Sequence, residues 1–310
     1  MLPISRALRH LLCLLLYCVP ALAVATTVTT LTQLNASGGV TLGPDGFLYV
    51  SDFGPQLGPA AETTNVYRVD PVSGAATVFA SGFDGASGAA FDAAGNFYQA
   101  EPRGNRVTRI TTEGQRSVVA SDLNTPVGVQ VDTEGNVIVC NCGNGEVLKI
   151  AATGAVSVLA RDAELMRCPN GLTQDGAGNF YAVTFGAGNV LKITAAGAVS
   201  LLAELPVLAG GPNPVGLGHI TFANEELYVT AIGIGAIYRV TLDGAVEAIA
   251  GTAFAFTNTD GNGTEATFNK PNGIAASTDG TQLFVNVSEP PWTTNPTGLH
   301  PAAVRRITGF

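Results

Sequence analysis

The sequence predicts an all-β protein, a six-bladed β-propeller of four-stranded blades. Three observations predict it: a short motif occurs six times, apolar and polar residues alternate with period two inside each unit, and glycine-rich turns separate the runs. The chain has 38 Gly and 17 Pro among 310 residues, and only 13% of its residues are charged. This composition is too rich in turn residues for a helical protein and too apolar for disorder.

The recurring motif runs from a first strand through a tight turn into a second strand, as in GVQVDTEGNVIVCN. Its copies lie 40 to 57 residues apart and begin at Gly39, Gly88, Gly128, Gly171, Gly216 and Gly273. The first hairpin of most units has a glycine where the turn needs a positive φ, at Gly46, Gly95, Gly135, Gly178 and Gly280. Two further strands complete each unit, and such units arranged in a ring leave only short edges.

The two ends of the chain indicate how the ring closes. The last unit stops at AVRRITGF, which matches a third strand, so its fourth strand is missing. The segment TTVTTLTQL near the N-terminus resembles a fourth strand. We therefore predict that residues near 26–33 pair with residues near 303–308, and that 26–310 form a single six-bladed domain.

Residues 1–25 have the pattern of a secretory signal peptide: a basic start, an apolar run, and small residues at Ala23 and Ala25. A retained N-terminal anchor is the alternative. Cleavage leaves 13 basic and 24 acidic residues, a net charge of −11. An acidic chain without a basic cluster does not fit nucleic acid or an anionic membrane as partner. We expect a secreted or periplasmic monomer with no membrane span after signal removal.

Three cysteines remain after cleavage: Cys140, Cys142 and Cys168. Cys142 ends the second strand of blade three and Cys168 lies in the loop that enters blade four, so both belong to one face of neighbouring blades. An oxidising compartment then favours a Cys142–Cys168 disulfide. Free buried thiols are the alternative, because three thiols with no adjacent histidine fall short of a zinc site.

Residues 250–286, AGTAFAFTNTDGNGTEATFNKPNGIAASTDGTQLFVN, resemble an NHL repeat. The whole mature chain resembles the wider group of six-bladed propellers that includes gluconolactonase- and regucalcin-like and strictosidine-synthase-like proteins. The resemblance implies a divalent cation, often calcium, bound in the channel by an Asn of an Asn-Gly pair, which Asn170 matches. Gly38 and Gly39 replace the family's first-blade glutamate, and near the position of its aspartate only His219 is found. The sequence thus leaves open whether the channel binds calcium. Asn170 is either a calcium ligand or a turn residue at the channel mouth.

The stretch NTDGNGTEATFN, residues 258–269, spaces Asn258, Asp260 and Asn262 like a calcium loop. The last ligand position would be Asn269, where such loops need a bidentate glutamate. The spacing alone therefore makes calcium here a weaker possibility than in the channel.

Two loops between second and third strands are long, at 53–65 in blade one and 288–303 in blade six. Because ring closure makes these blades neighbours, the loops are predicted to meet over one sector, with Trp292 between them. They form either a functional surface or a seal over the blade junction. Polar residues expected near the channel mouth or under these loops are Asp52, Glu101, Asn141, Asn170, His219 and Asn272.

Two functions fit the sequence. The favoured one is a secreted NHL-type propeller that binds a small molecule, glycan or protein on its loop-bearing channel face. The other is a metal-dependent hydrolase or lactonase of the gluconolactonase-like class with a rearranged site. His219 is the candidate general base for the second function, and a polar residue of the channel wall for the first. The sequence leaves enzymatic activity open.

Overall fold

A computed structural model describes residues 25–56, 62–206, 216–289 and 298–310. The described residues form twenty-five β-strands and two 3-10 turns, Cys142–Asn144 and Gly263–Glu265, and include no α-helix. The strands make six antiparallel sheets, so the predicted all-β class is confirmed. The predicted signal peptide lies outside the described residues, apart from Ala25.

Each of the first five complete blades is a sheet of four consecutive strands. Blade one contains β2 (Val40–Leu42), β3 (Leu48–Ser51), β4 (Thr64–Val69) and β5 (Ala76–Phe83). Blade two contains β6 (Ala89–Phe91), β7 (Phe97–Glu101), β8 (Arg106–Ile110) and β9 (Arg116–Ala120). Blade three contains β10 (Pro126–Val131), β11 (Val137–Asn141), β12 (Glu146–Ile150) and β13 (Val156–Arg161).

Blades four and five repeat this order. Blade four contains β14 (Pro169–Gln174), β15 (Phe180–Thr184), β16 (Asn189–Ile193) and β17 (Val199–Glu204). Blade five contains β18 (Leu217–Ala223), β19 (Glu226–Ala231), β20 (Ala236–Thr241) and β21 (Val246–Ala250). The first strand of every blade contacts the first strands of both neighbouring blades, which closes the ring around a central channel.

Blade six is completed by the N-terminal strand, as predicted. Its sheet contains β23 (Ile274–Ala276), β24 (Gln282–Ser288), β25 (Ala302–Thr308), β1 (Thr27–Gln33) and the short β22 (Gly261–Asn262). β1 pairs antiparallel with β25, from Thr27 opposite Thr308 to Gln33 opposite Ala303. β22 adds a fifth strand on the outer side of β1, which the repeat pattern does not predict.

The loop that resembles a calcium site holds the closing strand in place. The Asp260 carboxylate accepts hydrogen bonds from the Thr30 amide and hydroxyl of β1, both at 3.0 Å, and from the Arg305 guanidinium of β25 at 2.7 Å. Arg305 is fully buried and also donates to the carbonyl oxygens of Thr267 and Thr259. Asp260 is therefore used as the partner of a buried cation inside the protein.

The register of the sheets corrects the alignment of blade five. Ile220 pairs with Val229 in the same way that Val40 pairs with Val50 and Ile274 with Val285. The residue before Ile220, and not Gly216, is therefore equivalent to the other five starting glycines. That residue is His219. The six equivalent positions around the channel are Gly39, Gly88, Gly128, Gly171, His219 and Gly273.

These ring positions require glycine because the backbones of neighbouring first strands lie too close together for a Cβ atom. A Cβ on Gly128 would lie 2.3 Å from the Asn170 carbonyl oxygen, and a Cβ on Gly88 would lie 2.5 Å from that of Val127. Real Cβ atoms do not approach backbone this closely, so the inner ring leaves no space for side chains at these positions. Only blade five carries one there.

The predicted disulfide is present between Cys142 and Cys168, whose Cα atoms are 3.9 Å apart. It joins the turn between β11 and β12 of blade three to the residue before β14 of blade four. Cys140 is a free, buried thiol, and burial raises its pKa above the ordinary value. Because only the thiolate reacts readily, the Cys140 thiol is expected to be inert in the folded protein.

This assignment predicts a specific labelling pattern. Iodoacetamide added to the folded protein should label none of Cys140, Cys142 and Cys168. After unfolding without reductant only Cys140 should be labelled, and after unfolding with reductant all three. Mass spectrometry of tryptic peptides reads out each state. Labelling of Cys168 without reductant would contradict the disulfide.

Candidate functional site

The two long loops meet over the junction of blades one and six. Gln56 forms an isolated antiparallel bridge with Gly298, and the Leu299 amide donates to the Pro55 carbonyl oxygen at 2.8 Å. The predicted meeting of the loops is thus confirmed at the ends that the structure describes. Residues 57–61 and 290–297, including the predicted Trp292, lie outside the described residues.

A histidine and an aspartate form a hydrogen bond beneath these loop ends. His300 Nε2 lies 2.8 Å from Asp52 Oδ1, and both side chains are mostly buried. The Gly54 amide donates to the same oxygen at 2.7 Å. In the tautomer in which Nε2 of His300 donates to the Asp52 carboxylate, Nδ1 holds the lone pair. The pair can therefore accept a hydrogen bond or a proton at Nδ1.

Sequence reasoning proposed Asp52 but missed His300. Residues 52 and 300 are far apart in the chain, and only ring closure and the contact between the loops bring them together. The available signal was that His300 lies in the long loop of blade six, next to the end of the second strand of blade one. Neither residue is part of a sequence motif that would have shown this.

Arg103 lies next to this pair, in the short loop between β7 and β8. Its guanidinium carbon is 5.0 Å from the centre of the Phe53 ring. Both terminal nitrogens are shielded from solvent and have no hydrogen-bond partner among the described residues. Burial lowers the pKa of Arg103, while Asp52 and Asp84 nearby act in the opposite direction. Arginine still stays charged in proteins.

Glu101 and Asn141 end the second strands of blades two and three, but their polar atoms face other parts of the protein. Glu101 is 1% exposed and binds Arg106 at 2.7 Å, the Thr108 hydroxyl and the Asp84 amide. Asn141 accepts from the Asn124 amide and donates to Asn144. The structure shows both side chains fixing loops on this face; their predicted part in ligand binding stays a prediction.

The two Pro-Asn-Gly asparagines tie neighbouring blades together. Asn170 Nδ2 donates to the carbonyl oxygens of Leu217 and Gly218, at 3.0 and 2.8 Å. Asn272 Nδ2 donates to the Ser37 carbonyl oxygen at 2.6 Å, across the closing junction. The repeated motif therefore has one repeated structural role at the channel mouth.

His219 closes the channel at the level of the glycine ring. A Cβ on Gly88, across the channel in blade two, would lie 3.3 Å from His219 Cε1, so the imidazole spans the axis. Nε2 is buried and has no hydrogen-bond partner within the described chain. Burial lowers the pKa of His219 to about 4, so the ring is neutral at pH 7. Beyond it lies a cavity of about 270 Å³, lined by the first strands of all six blades.

The residues at the channel mouth do not fit the calcium site that the resemblance implies. Calcium takes six or more oxygen ligands, usually with carboxylates among them. A Cβ on Gly38 would lie 2.2 Å from the Ala86 carbonyl oxygen, so no acidic side chain can be built there. The described residues contain no group of three or more His, Cys, Asp or Glu side chains arranged to hold a metal.

Comparisons with solved structures show the same fold in other proteins. Virginiamycin B lyase from Staphylococcus aureus is 14% identical, with 91% of this chain and 99% of that chain covered and a TM-score of 0.62. An auxiliary nutrient binding protein from Bacteroides thetaiotaomicron is 14% identical, with 91% and 76% covered and a TM-score of 0.69. A putative gluconolactonase is 14% identical, with 91% and 92% covered and a TM-score of 0.65. At this identity the likeness shows the propeller fold alone.

Residues 21–161 match the family model described as SMP-30/Gluconolactonase/LRE-like region. That stretch is similar to the SMP-30/gluconolactonase-like family, and the six blades of the chain fit the NHL and gluconolactonase-like group. No curated protein matches the sequence. Among the described residues no helix is both long and apolar enough to cross a membrane.

Proposed function

We propose that the protein is an NHL-type propeller that binds a small molecule, glycan or protein on its loop-bearing face, at the junction of blades one and six. The observation that carries the proposal is the contact between the two long loops directly above polar groups with open hydrogen-bonding capacity, the Asp52–His300 pair and Arg103. Loops held on a rigid scaffold are where binding residues concentrate. A mere seal over the junction would not require an unpaired guanidinium.

The protein is further proposed to be secreted or periplasmic and monomeric. A disulfide between Cys142 and Cys168 supports an oxidising compartment, and it fits the signal-peptide pattern of residues 1–25. A fully paired sixth blade also supports a single closed ring.

A hydrolase or lactonase is the second candidate function. Among the described residues the channel mouth holds no group of carboxylates arranged for a metal, so the rearranged site would be the Asp52–His300 pair, with Nδ1 of His300 as general base. Asp52 would hold the ring orientation and stabilise the imidazolium. His219 is a poorer base, because its Nε2 is enclosed and burial lowers its pKa to about 4.

A ligand screen with site variants tests the proposal. Small molecules and oligosaccharides that raise the melting temperature would be measured by calorimetry against wild type, His300→Gln and the control Asp70→Asn, a partly exposed turn residue of blade one. We expect His300→Gln to weaken binding at least tenfold and Asp70→Asn to leave it unchanged. Ligands that bind all three proteins equally would place the binding site elsewhere.

A lactone and ester panel, run with and without EDTA, separates the two functions. Absence of turnover in a protein that binds ligands supports the binder. Turnover that resists EDTA and disappears in His300→Gln supports the hydrolase at the junction. Turnover that EDTA abolishes and that survives in His300→Gln would contradict both assignments to the junction.

A further inference from the structure

We propose that Arg103 binds a carboxylate group of the ligand that the junction face takes. This rests on the proposed function and names the chemical class of the ligand. Carboxylate recognition does not follow from the fold, since it depends on one arginine of blade two and on loop residues of blade one.

The first step is that the terminal nitrogens of Arg103 have no hydrogen-bond partner among the described residues. Both terminal nitrogens of its guanidinium are shielded from solvent, and neither makes a hydrogen bond with the described chain. Buried donors without partners are rare in native proteins, and each one that occurs needs an explanation. An acceptor that arrives with a ligand supplies one.

The second step is that the neighbouring acids are already engaged. Asp52 Oδ1 accepts from His300 and from the Gly54 amide. Asp84 Oδ2 is 2.9 Å from Arg106, which also binds Glu101. The two carboxylates that interact electrostatically with Arg103 are thus hydrogen-bonded to other donors. Neither of them pairs with the Arg103 guanidinium.

The third step is that the guanidinium lies in a slot between two glycines and an aromatic ring. A Cβ on Gly54 would lie 3.0 Å from both terminal nitrogens, and a Cβ on Gly85 would lie 3.0 Å from Cζ and Nε. Side chains at either position would crowd the group, so these two glycines leave the slot that the guanidinium fills. Phe53 flanks the guanidinium at 5.0 Å.

The chemistry of the slot selects the ligand class. Two terminal nitrogens in one plane match the two oxygens of a carboxylate in a bidentate pair. Asp52, Asp84 and Glu101 outnumber Arg103 and Arg106, so this sector has no positive field that would attract anions from a distance. Recognition has to come from short hydrogen bonds, and we expect its affinity to change little between low and physiological salt.

The test compares carboxylates with matched neutral amides. Benzoate, hexanoate and gluconate, each paired with its amide, would be titrated into the full chain by NMR, with the Arg103 side-chain and His300 ring signals as readouts. We expect the acids, and not the amides, to shift the Arg103 signals. Arg103→Lys keeps the charge but loses the bidentate geometry, and should weaken carboxylate binding at least tenfold.

Arg116→Lys is the matched control. Arg116 is also a partly buried arginine over an aromatic ring, with Cζ 4.0 Å from the Phe83 ring centre, but it donates to the Ser81 carbonyl oxygen. Carboxylate binding should be unchanged in this variant. Arg103→Met should melt no lower than wild type, because it removes an unpaired buried charge; a clear loss of stability would show that Arg103 is structural and overturn the inference.

Two failures can be told apart. Probes that shift His300 but bind wild type and Arg103→Lys equally, or amides that bind as well as acids, would overturn the carboxylate inference and leave the junction as the binding face. No shift at either Arg103 or His300 with any acid would overturn the inference as well. If ligands found in the broader screen also ignored His300→Gln, the proposed function itself would fail.

Discussion

Deletion of residues 26–34 is expected to abolish cooperative unfolding. β1 supplies the fourth strand of blade six, and six of its residues pair with β25. Val28 is fully buried in the core of that blade. Without β1 the ring loses its closing contact, and β25 is left with a bare edge that favours aggregation.

The deletion also removes Thr30, which fixes the ion-pair partner of the buried Arg305. Thr30 contributes two of the hydrogen bonds that fix Asp260, and Asp260 neutralises the fully buried Arg305. Without these two hydrogen bonds Asp260 is held less firmly opposite Arg305, which weakens the compensation of the buried charge. Circular dichroism during heating, together with gel filtration, should show a broad transition and self-association in place of a single sharp melt.

A circular permutant provides the matched control. Residues 26–34 attached after Phe310 through a short Gly/Ser linker can form the same antiparallel pair, because Thr27 lies opposite Thr308. This permutant should regain a sharp transition, although it has the same N-terminal truncation. An unchanged melting curve in the simple deletion would remove the closure argument.

The parts of the fold that sequence could predict are those set by local patterns. Turn glycines such as Gly135 and Gly178, with φ of 80° and 84°, mark hairpins wherever they occur. Closure of the ring by the N-terminal strand could be predicted because blade six lacks a fourth strand and the N-terminus has a spare one. The disulfide followed from the resulting positions of Cys142 and Cys168 on one face.

The candidate site was harder to predict from sequence, because it depends on contacts between segments that are distant in the chain. Asp52 was predicted from its place at a strand end, but its partner His300 belongs to a loop whose path no local pattern fixes. Arg103 lies in a short turn, and no sequence pattern there indicates that the terminal nitrogens of its guanidinium have no hydrogen-bond partner. The sequence alignment of blade five started wrongly at Gly216. The ring position that is glycine in the other five blades is His219 in blade five.

That histidine gives the last prediction: stability should fall between pH 6.5 and pH 4 through His219. Its imidazole spans the channel among five glycines and has an unpartnered Nε2, and burial alone lowers its pKa from 6.5 to about 4. The unfolded chain binds the proton first, so the folded state loses stability as pH falls through this window, by about 3 kcal/mol in total. Above pH 6.5 the effect is absent, and below pH 4 it grows no further.

A variant pair isolates this contribution from the rest of the protein. Denaturant unfolding of wild type, His219→Gln and the control His300→Gln would be measured from pH 4 to pH 7.5. Carboxylates with lowered pKa, such as Asp92 and Asp175, lose their stabilising effect only near and below the ordinary value of 3.8, outside most of this window. His219→Gln should therefore flatten the pH dependence by about 3 kcal/mol, while His300→Gln should keep the slope that His219 causes. Equal slopes in wild type and His219→Gln would mean that water or a proton reaches the imidazole freely, and that His219 does not seal the channel.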